Sequence, residues 1–283
     1  MTVDKEVSRV SYALRNNGGT IYLPEWCRDD MANLHVPSEA DIVTESSTQE
    51  YPIGTQLRKG DKLYRYSKAG AAIAAARRGF LKGNFFLCPG SAGNSANSGY
   101  EAAAYAAIVA GQTYFDITDT AAAKNENEGA YAVWYDDTNN VYEDYVVLGN
   151  DSSTGVYTRC YIAPPGFKVA HAAAVQVSVY RNPYMGVRDY EASGAYASAL
   201  GYAKFAITSA YFFWLQTAGP ISGVTGASTW PGQTAYQRDV YCNTDGSLIG
   251  ITAITYLYQR VGYLLSKTAS TYGDNFFMLQ LDQ

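Results

Sequence analysis

Residues that could make or break covalent bonds are scarce in this sequence. Its only imidazoles belong to His35 and His171, and a hydrolase with a catalytic triad needs a histidine held beside its nucleophile. His35 lies in an irregular stretch, His171 precedes an alanine run, and no GxSxG segment occurs. Two histidines also cannot form a three-histidine zinc site. We therefore expect a protein that is not an enzyme.

The carboxylates do not suggest catalysis or metal binding either. A glycosidase needs two carboxylates that face each other across a sugar, whereas adjacent residues of a strand point to opposite faces. Residues 136–140 carry oxygen ligands but lack the spacing of an EF-hand. We interpret this segment as a solvated hairpin tip, and we expect no metal and no cofactor. The adjacent acidic pairs are Asp29-Asp30, Asp136-Asp137 and Glu143-Asp144.

The cysteines and the glycine-rich segment are equally uninformative about chemistry. The cysteines are widely and singly spaced, so no CxxC pair is present for a zinc ribbon or a thioredoxin-like site. We interpret them as buried free thiols of a protein folded in a reducing cytoplasm. Residues 88–99 form a Gly- and Ser-rich loop, but no GKS or GKT follows, which excludes a Walker-type phosphate loop. The four cysteines are Cys27, Cys88, Cys160 and Cys242.

The tryptophans keep one binding function open. Trp214 lies in the most apolar segment, 203–217, and is predicted to be a core residue. Trp26, Trp134 and Trp230 lie beside turn residues, where an indole is able to stay exposed. Exposed indoles and tyrosines suit a carbohydrate-binding module, which is the alternative from a different functional class. Trp26 and Trp230 are also candidate interface residues.

The bulk composition favours a protein that works by surface contact. Charged residues make up 17% of the 283 residues, against about a quarter in most soluble domains. The 26 tyrosines supply the stiff amphipathic side chains that are enriched at protein interfaces and in strands. With a net charge of −5 and no basic stripe, we expect no nucleic-acid binding. No apolar run approaches the roughly 18 residues of a spanning helix, and no signal peptide is recognisable, so we expect synthesis in a cytoplasm and no membrane contact.

The elements predicted from residue 1 to residue 52 are a short helix and an extended arm. Val3, Val7, Val10 and Leu14 recur at helical spacing and predict a helix over 2–15 with one narrow apolar stripe. That stripe must lie either on the body of the protein or on a neighbouring subunit, so these four residues are candidate interface residues. The proline-containing stretch after it shows little periodicity and predicts an arm over 20–53.

Residues 53–283 are predicted to form a β-rich body with few short helices. Lys59 to Lys62 has the composition of a hairpin turn, and short apolar runs separated by turns follow at regular spacing. This pattern is typical of a β-barrel or a β-sandwich, with a possible division into two β subdomains near 165–200. Gly219-Pro220 is expected to end the apolar segment. The clearest strand candidates are Gln112–Thr118, Ala130–Tyr135, Tyr142–Leu148, Val156–Ile162 and Val175–Tyr180.

Two segments and two shorter ones resemble virion proteins of tailed phages. They are IGTQLRKGDKLYRYSKAGAA from Ile53, GYAKFAITSAYFFWLQTAGP from Gly201, RVGYLLS from Arg260 and FFMLQL from Phe276. They are most similar to capsid decoration, or cement, proteins with a β-barrel body. The resemblance implies homotrimers on the capsid surface that contact the major capsid protein and bridge neighbouring shell subunits.

Other virion roles remain open alongside this one. The chain is alternatively a major capsid protein, a head–tail component or a fibre component. A shell protein requires a long spine helix, and no amphipathic stretch of about 20 residues is evident. Copy number per particle separates these roles, because shell and decoration proteins are counted in hundreds and connectors in about a dozen.

Overall fold

The computed structural model shows a protein that is mainly β, as predicted. The described part of the chain contains eighteen strands in two sheets and one helix of four residues, α1 (Glu39–Ile42). It comprises residues 13–16, 18–24, 27, 35–73, 80–83, 101–136, 140–189, 198–203, 205–225, 230–233, 236–243, 246–250, 259–266 and 274–282. The strands in chain order are β1 (Ala13–Asn16), β2 (Gly19–Tyr22), β3 (Gln56–Lys59), β4 (Lys62–Ala69), β5 (Phe80–Gly83), β6 (Glu101–Ala103), β7 (Tyr114–Thr118), β8 (Tyr131–Asp136), β9 (Val141–Asn150), β10 (Tyr157–Ile162), β11 (Gln176–Tyr180), β12 (Met185–Asp189), β13 (Ser198–Tyr202), β14 (Phe212–Val224), β15 (Asp239–Cys242), β16 (Leu248–Ile249), β17 (Arg260–Ser266) and β18 (Asp274–Gln280).

The six-stranded sheet is built from one continuous stretch, residues 101–180. Its strand order is β6-β11-β8-β9-β10-β7, and an antiparallel bridge between Ala104 and Ile117 joins its two edges. The sheet therefore curls around until its edges meet, and we refer to it as the barrel. Alternate residues point inward, and Phe115, Trp134 and Phe167 pack edge to face at its centre with ring centroids 5.2–6.0 Å apart.

The twelve-stranded sheet takes its strands from both sides of the barrel segment. Its order is β1-β2-β3-β4-β12-β5-β13-β14-β18-β17-β15-β16, and an additional β4–β14 pairing closes β4, β12, β5, β13 and β14 into a ring. β14 belongs to both halves of this sheet, since Phe212–Gln216 pair with β4 and Ala218–Val224 pair with β18. The expectation that Gly219-Pro220 ends the apolar segment is wrong. A register shift between Gln216 and Ala218 and the positive φ of Gly219, 97°, let the strand continue.

The N-terminal helix prediction is wrong where it can be checked. Ala13–Asn16 form a strand, β1, whose Leu14 pairs with Ile21 of β2. The turn between them contains Gly18 at φ 99°, a left-handed conformation that suits the turn of a hairpin. The remainder of the predicted helix, residues 2–12, lies outside the described residues.

The stretch predicted as an extended arm instead contributes to the core in its described residues. β2 pairs with β3, and α1 begins at a capping box in which Ser38 and Asp41 exchange hydrogen bonds. The physical reason is that the stretch contains apolar side chains whose burial is favourable, although they are not spaced at a regular period. The buried cluster that they enter contains Ile21, Ile42, Tyr51, Ile53, Leu57, Tyr64, Tyr66, Phe212 and Trp214.

Candidate interaction surface

Three exposed tyrosines form a patch on one side of the barrel. Tyr131 and Tyr135 point outward from β8, and Tyr142 does so from β9. Tyr135 and Tyr142 are paired in register, and Gln176 of β11 faces Tyr135 from the other side. Their exposed fractions are 50%, 54% and 67%, so at least half of each residue's surface is open to a partner. We refer to Tyr131, Tyr135 and Tyr142 as the β8–β9 patch.

A second patch combines tyrosines with an arginine and lies on β7, β10 and the residue Tyr105. The Arg159 guanidinium donates two hydrogen bonds to Asp116, at 2.8 and 2.9 Å, and lies 4.4 Å from the ring centroid of Tyr114. The hydrogen bonds to Asp116 raise the pKa of Arg159 above its usual value. The Tyr105 ring stacks on that of Tyr157 at 4.7 Å. This β7–β10 patch consists of Tyr105, Tyr114, Tyr157, Arg159 and Tyr161.

The two patches lie on different strands of the closed sheet. Tyr142 lies near the start of β9, whereas Gly149 and Asn150 at its end pair with Tyr161 and Cys160 of β10. The strand period of two sends the outward residues of each strand away from the shared core. Both patches thus lie on the outer surface of one barrel.

The predicted site residues are only partly described. Val3, Val7, Val10 and Trp26 lie outside the described residues, and the placement of Leu14 is described through its backbone pairing in β1. Trp230 is half-buried.

The prediction that Trp134 is exposed is wrong. The prediction that Trp214 is a core residue is confirmed. Trp134 is fully buried on the inward face of β8, and Trp214 is 4% exposed in β14. Trp134 points inward because side chains alternate along a strand and Tyr131 and Tyr135 occupy the outward positions of β8. Neither patch is predicted from the sequence, although the alternate spacing of Tyr157, Arg159 and Tyr161 along one predicted strand is a signal for an outward face.

His171 belongs to a buried polar network inside the barrel. Its Nδ1 lies 2.9 Å from Oδ2 of Asp136, and its Nε2 lies 3.8 Å from Oε2 of Glu143. Tyr145 donates a hydrogen bond to Glu143, and burial raises the pKa of Tyr145. The Trp134 ring stacks on the imidazole at 5.6 Å. The interpretation of 136–140 as a solvated tip is therefore wrong at Asp136, which is 2% exposed; residues 137–139 lie outside the described residues.

The thiols and a cavity are further features of the described residues. Cys160 and Cys242 are buried, as predicted, whereas Cys27 is half-buried and Cys88 lies outside the described residues. A cavity of about 280 Å³ lies beside α1 and the β3–β4 turn and is lined by both acidic and basic side chains, among them Glu39, Lys59, Asp61 and Lys62. Within the described ranges, no cluster of three or more His, Cys, Asp or Glu side chains is placed to hold a metal ion.

No helix of the described ranges combines the length and apolarity needed to cross a membrane. Comparison of the chain with protein-family models, with curated proteins and with solved structures found no match.

Proposed function

We propose that this protein is a structural component of a phage virion, a capsid decoration or cement protein that stabilises the head by bridging shell subunits. The observation that carries the proposal is the pair of tyrosine-rich patches on the outer surface of one barrel. Tyrosine and arginine are the residues most enriched in the energetic centres of protein interfaces. Its partners are further copies of itself, as a trimer, and the major capsid protein on the capsid surface.

The area of one patch supports a contact that is weak alone and effective when repeated. Each tyrosine of the β8–β9 patch is 50–67% exposed, so covering all three removes at most about 350 Å² from water, which is at most about 9 kcal/mol before costs if the whole area counts as apolar. Association costs about 4–15 kcal/mol, so the net free energy of binding through one patch alone is close to zero. When two patches on one barrel bind neighbours in a lattice, the first contact raises the effective concentration for the second. The protein is then held firmly although no single site binds tightly.

The first test is the copy number of the protein in purified particles of a phage that encodes it. Quantitative mass spectrometry should find hundreds of copies per particle, and native mass spectrometry of the isolated protein should find a trimer. About a dozen copies would favour a head–tail component instead. Absence from purified particles, with the protein present only in the soluble lysate, rules the proposal out.

The second test addresses the patches directly. The double variant Tyr135→Ser/Tyr142→Ser should release the protein from particles, because it removes the two most exposed rings of the β8–β9 patch. Tyr236→Ser is the matched control, since Tyr236 is 99% exposed and lies outside both patches; it should bind like the wild type. Both variants should unfold at the wild-type midpoint. Equal particle binding by the double variant contradicts the assignment of this patch.

A carbohydrate-binding module is the second candidate, and one observation favours it. Tyr135 and Tyr142 present neighbouring exposed rings beside Gln176, which is a platform with a hydrogen-bonding group. The burial of Trp134 removes one of the indoles on which that alternative depended. A glycan array distinguishes the two candidates: binding that is lost in Tyr135→Ser/Tyr142→Ser favours the module, and no binding at millimolar sugar eliminates it.

A further inference from the structure

An exposed carboxylate lies among the tyrosines of the β8–β9 patch. Asp144 is exposed and takes an outward position of β9, two residues after Tyr142. Its register partner is Val133, which lies between Tyr131 and Tyr135 on the outer face of β8, so Asp144 is a diagonal neighbour of both β8 tyrosines. Among the described residues, none forms a hydrogen bond or an ion pair with its carboxylate. The patch therefore presents a carboxylate surrounded by phenol rings.

The β7–β10 patch presents a guanidinium in a similar aromatic setting. Arg159 uses Nε and Nη2 to hold Asp116, and its remaining nitrogen, Nη1, donates to no described residue. A guanidinium has more N–H donors than one carboxylate accepts, and 36% of the Arg159 side chain is exposed. Asp116 and the ring of Tyr114 already hold the guanidinium in one orientation, so a second carboxylate binds it with little further loss of rotamer freedom.

We infer that the β8–β9 patch of one copy binds the β7–β10 patch of a second copy, so that Asp144 of the first faces Arg159 of the second. This inference rests on the self-association included in the proposed function and specifies the surfaces that form it. Tyrosine rings surround the ion pair on both sides and supply the apolar part of the contact. Contact between two β8–β9 patches would instead bring two Asp144 carboxylates together, and like charges across an interface are unfavourable. Charge therefore favours the head-to-tail contact over a symmetric one.

A head-to-tail contact also determines the kind of assembly that forms. The two contacting surfaces differ, so each copy keeps its other patch for a further neighbour. A pair cannot close in this way, because a twofold contact uses the same surface on both partners. The smallest closed ring is a trimer, which is the assembly named in the proposed function.

The experiment cross-links thiols placed beside each patch, in a chain whose Cys27 and Cys88 are replaced by serine. One variant carries Ser178→Cys, at an outward position of β11 next to β8. The other carries Thr118→Cys, at the exposed register partner of Tyr157. Both replacements are small and leave the tyrosines, the carboxylate and the guanidinium of the two patches in place.

Head-to-tail contact predicts which of these chains become linked. A mixture of the two variants, treated with a short bis-maleimide, should give a cross-linked dimer that contains one chain of each. Neither variant alone should give a cross-linked dimer, and a chain with both cysteines should give cross-linked trimers. Cross-linking of the Ser178→Cys variant to itself indicates a symmetric contact and overturns the inference. A mixture that forms no mixed dimer also overturns it.

The variant Asp144→Lys tests the ion pair itself. It should raise the concentration at which the trimer dissociates at least about tenfold, because a lysine would then face Arg159. Asp61→Lys is the matched control, since Asp61 is exposed in the β3–β4 turn of the other sheet and undergoes the same change of charge; it should dissociate like the wild type. Sedimentation equilibrium measures all three proteins, and an unchanged trimer in Asp144→Lys overturns the inference.

The virion role is judged separately, by the copy number in purified particles. Hundreds of copies per particle without the mixed cross-linked dimer would refute this contact and leave the proposed function in place. Mixed dimers of a protein that is absent from particles would refute the proposed function and leave the contact in place.

Discussion

Replacing Gly219 by alanine should destabilise the protein strongly, because β14 is shared by both halves of the twelve-stranded sheet. Gly219 has φ 97°, and a Cβ added there would lie 2.2 Å from the carbonyl oxygen of Asp61 and 2.8 Å from Cα of Lys62. A left-handed conformation costs an L-residue about 1–2 kcal/mol, and forcing apart backbone atoms costs about 1–3 kcal/mol more. We expect a loss of about 3 kcal/mol, or about 6 °C or more in the thermal midpoint.

The matched control for this variant lies in the hairpin that contacts Gly219. Gly60 also has a positive φ, 58°, but no atom lies within 4 Å of its added Cβ. Gly60→Ala should therefore cost only the conformational part, about 1 kcal/mol. Calorimetric unfolding of both variants isolates the steric part. If Gly219→Ala costs no more than Gly60→Ala, the close approach of β14 to the β3–β4 turn is refuted.

Three further predictions concern the core, the reactivity of the thiols and the stability of the fold at alkaline pH. Trp134→Ala should lower the free energy of unfolding by about 3–5 kcal/mol, whereas Tyr135→Ala should change it by less than about 0.5 kcal/mol. Equal losses of the two variants in urea unfolding would contradict the assignment of Trp134 to the inner face of β8 and Tyr135 to its outer face. In a Cys88→Ser background, native alkylation followed by mass spectrometry should modify half-buried Cys27 before Cys160, since burial raises the pKa of the Cys160 thiol; faster labelling of Cys160 contradicts this. Burial raises the pKa of Tyr64, Tyr66 and Tyr184 to about 12 from the model-peptide value of 10.0. Their neutral forms are favoured by folding, so stability present below pH 10.0 should be lost as pH rises toward 12; ultraviolet titration of tyrosine showing all phenols ionising together near 10.0, with the fold intact, would contradict it.

The strands of the barrel could be predicted closely from the sequence. The candidates Gln112–Thr118, Ala130–Tyr135 and Val156–Ile162 correspond to β7, β8 and β10 with ends that differ by at most two residues. Antiparallel strands with one face on a core alternate apolar and polar residues, and turn residues separate them. Both signals are local, so a single sequence carries them. The barrel closure between Ala104 and Ile117 is a pairing of distant edges and has no such local signal.

The elements that were predicted wrongly share a physical cause. Leu14 fits a helical stripe when its own neighbours are considered, but its backbone pairs with Ile21 across a glycine turn. Gly219 and Pro220 disfavour an isolated strand, but β4 and β18 supply partners on either side of that point and a register shift absorbs the irregularity. In both places tertiary pairing outweighs local propensity. Local patterns thus fail at residues whose structure is decided by the strands with which they pair.

The interaction surface depends on a choice that alternation alone does not make. The run from Tyr131 to Asp136 offers two sets, one with Tyr131 and Tyr135 and the other with Trp134 and Asp136. Periodicity allows either set to face the solvent, and the solvation of a carboxylate favours an outward position for the second set. The structure buries Asp136 because His171 lies within hydrogen-bonding distance, at 2.9 Å, and burial of Trp134 against Phe115 and Phe167 adds a large apolar contribution. The partner of one aspartate, 35 residues away in the chain, thus decides that tyrosines form the outer face on which the proposed function depends.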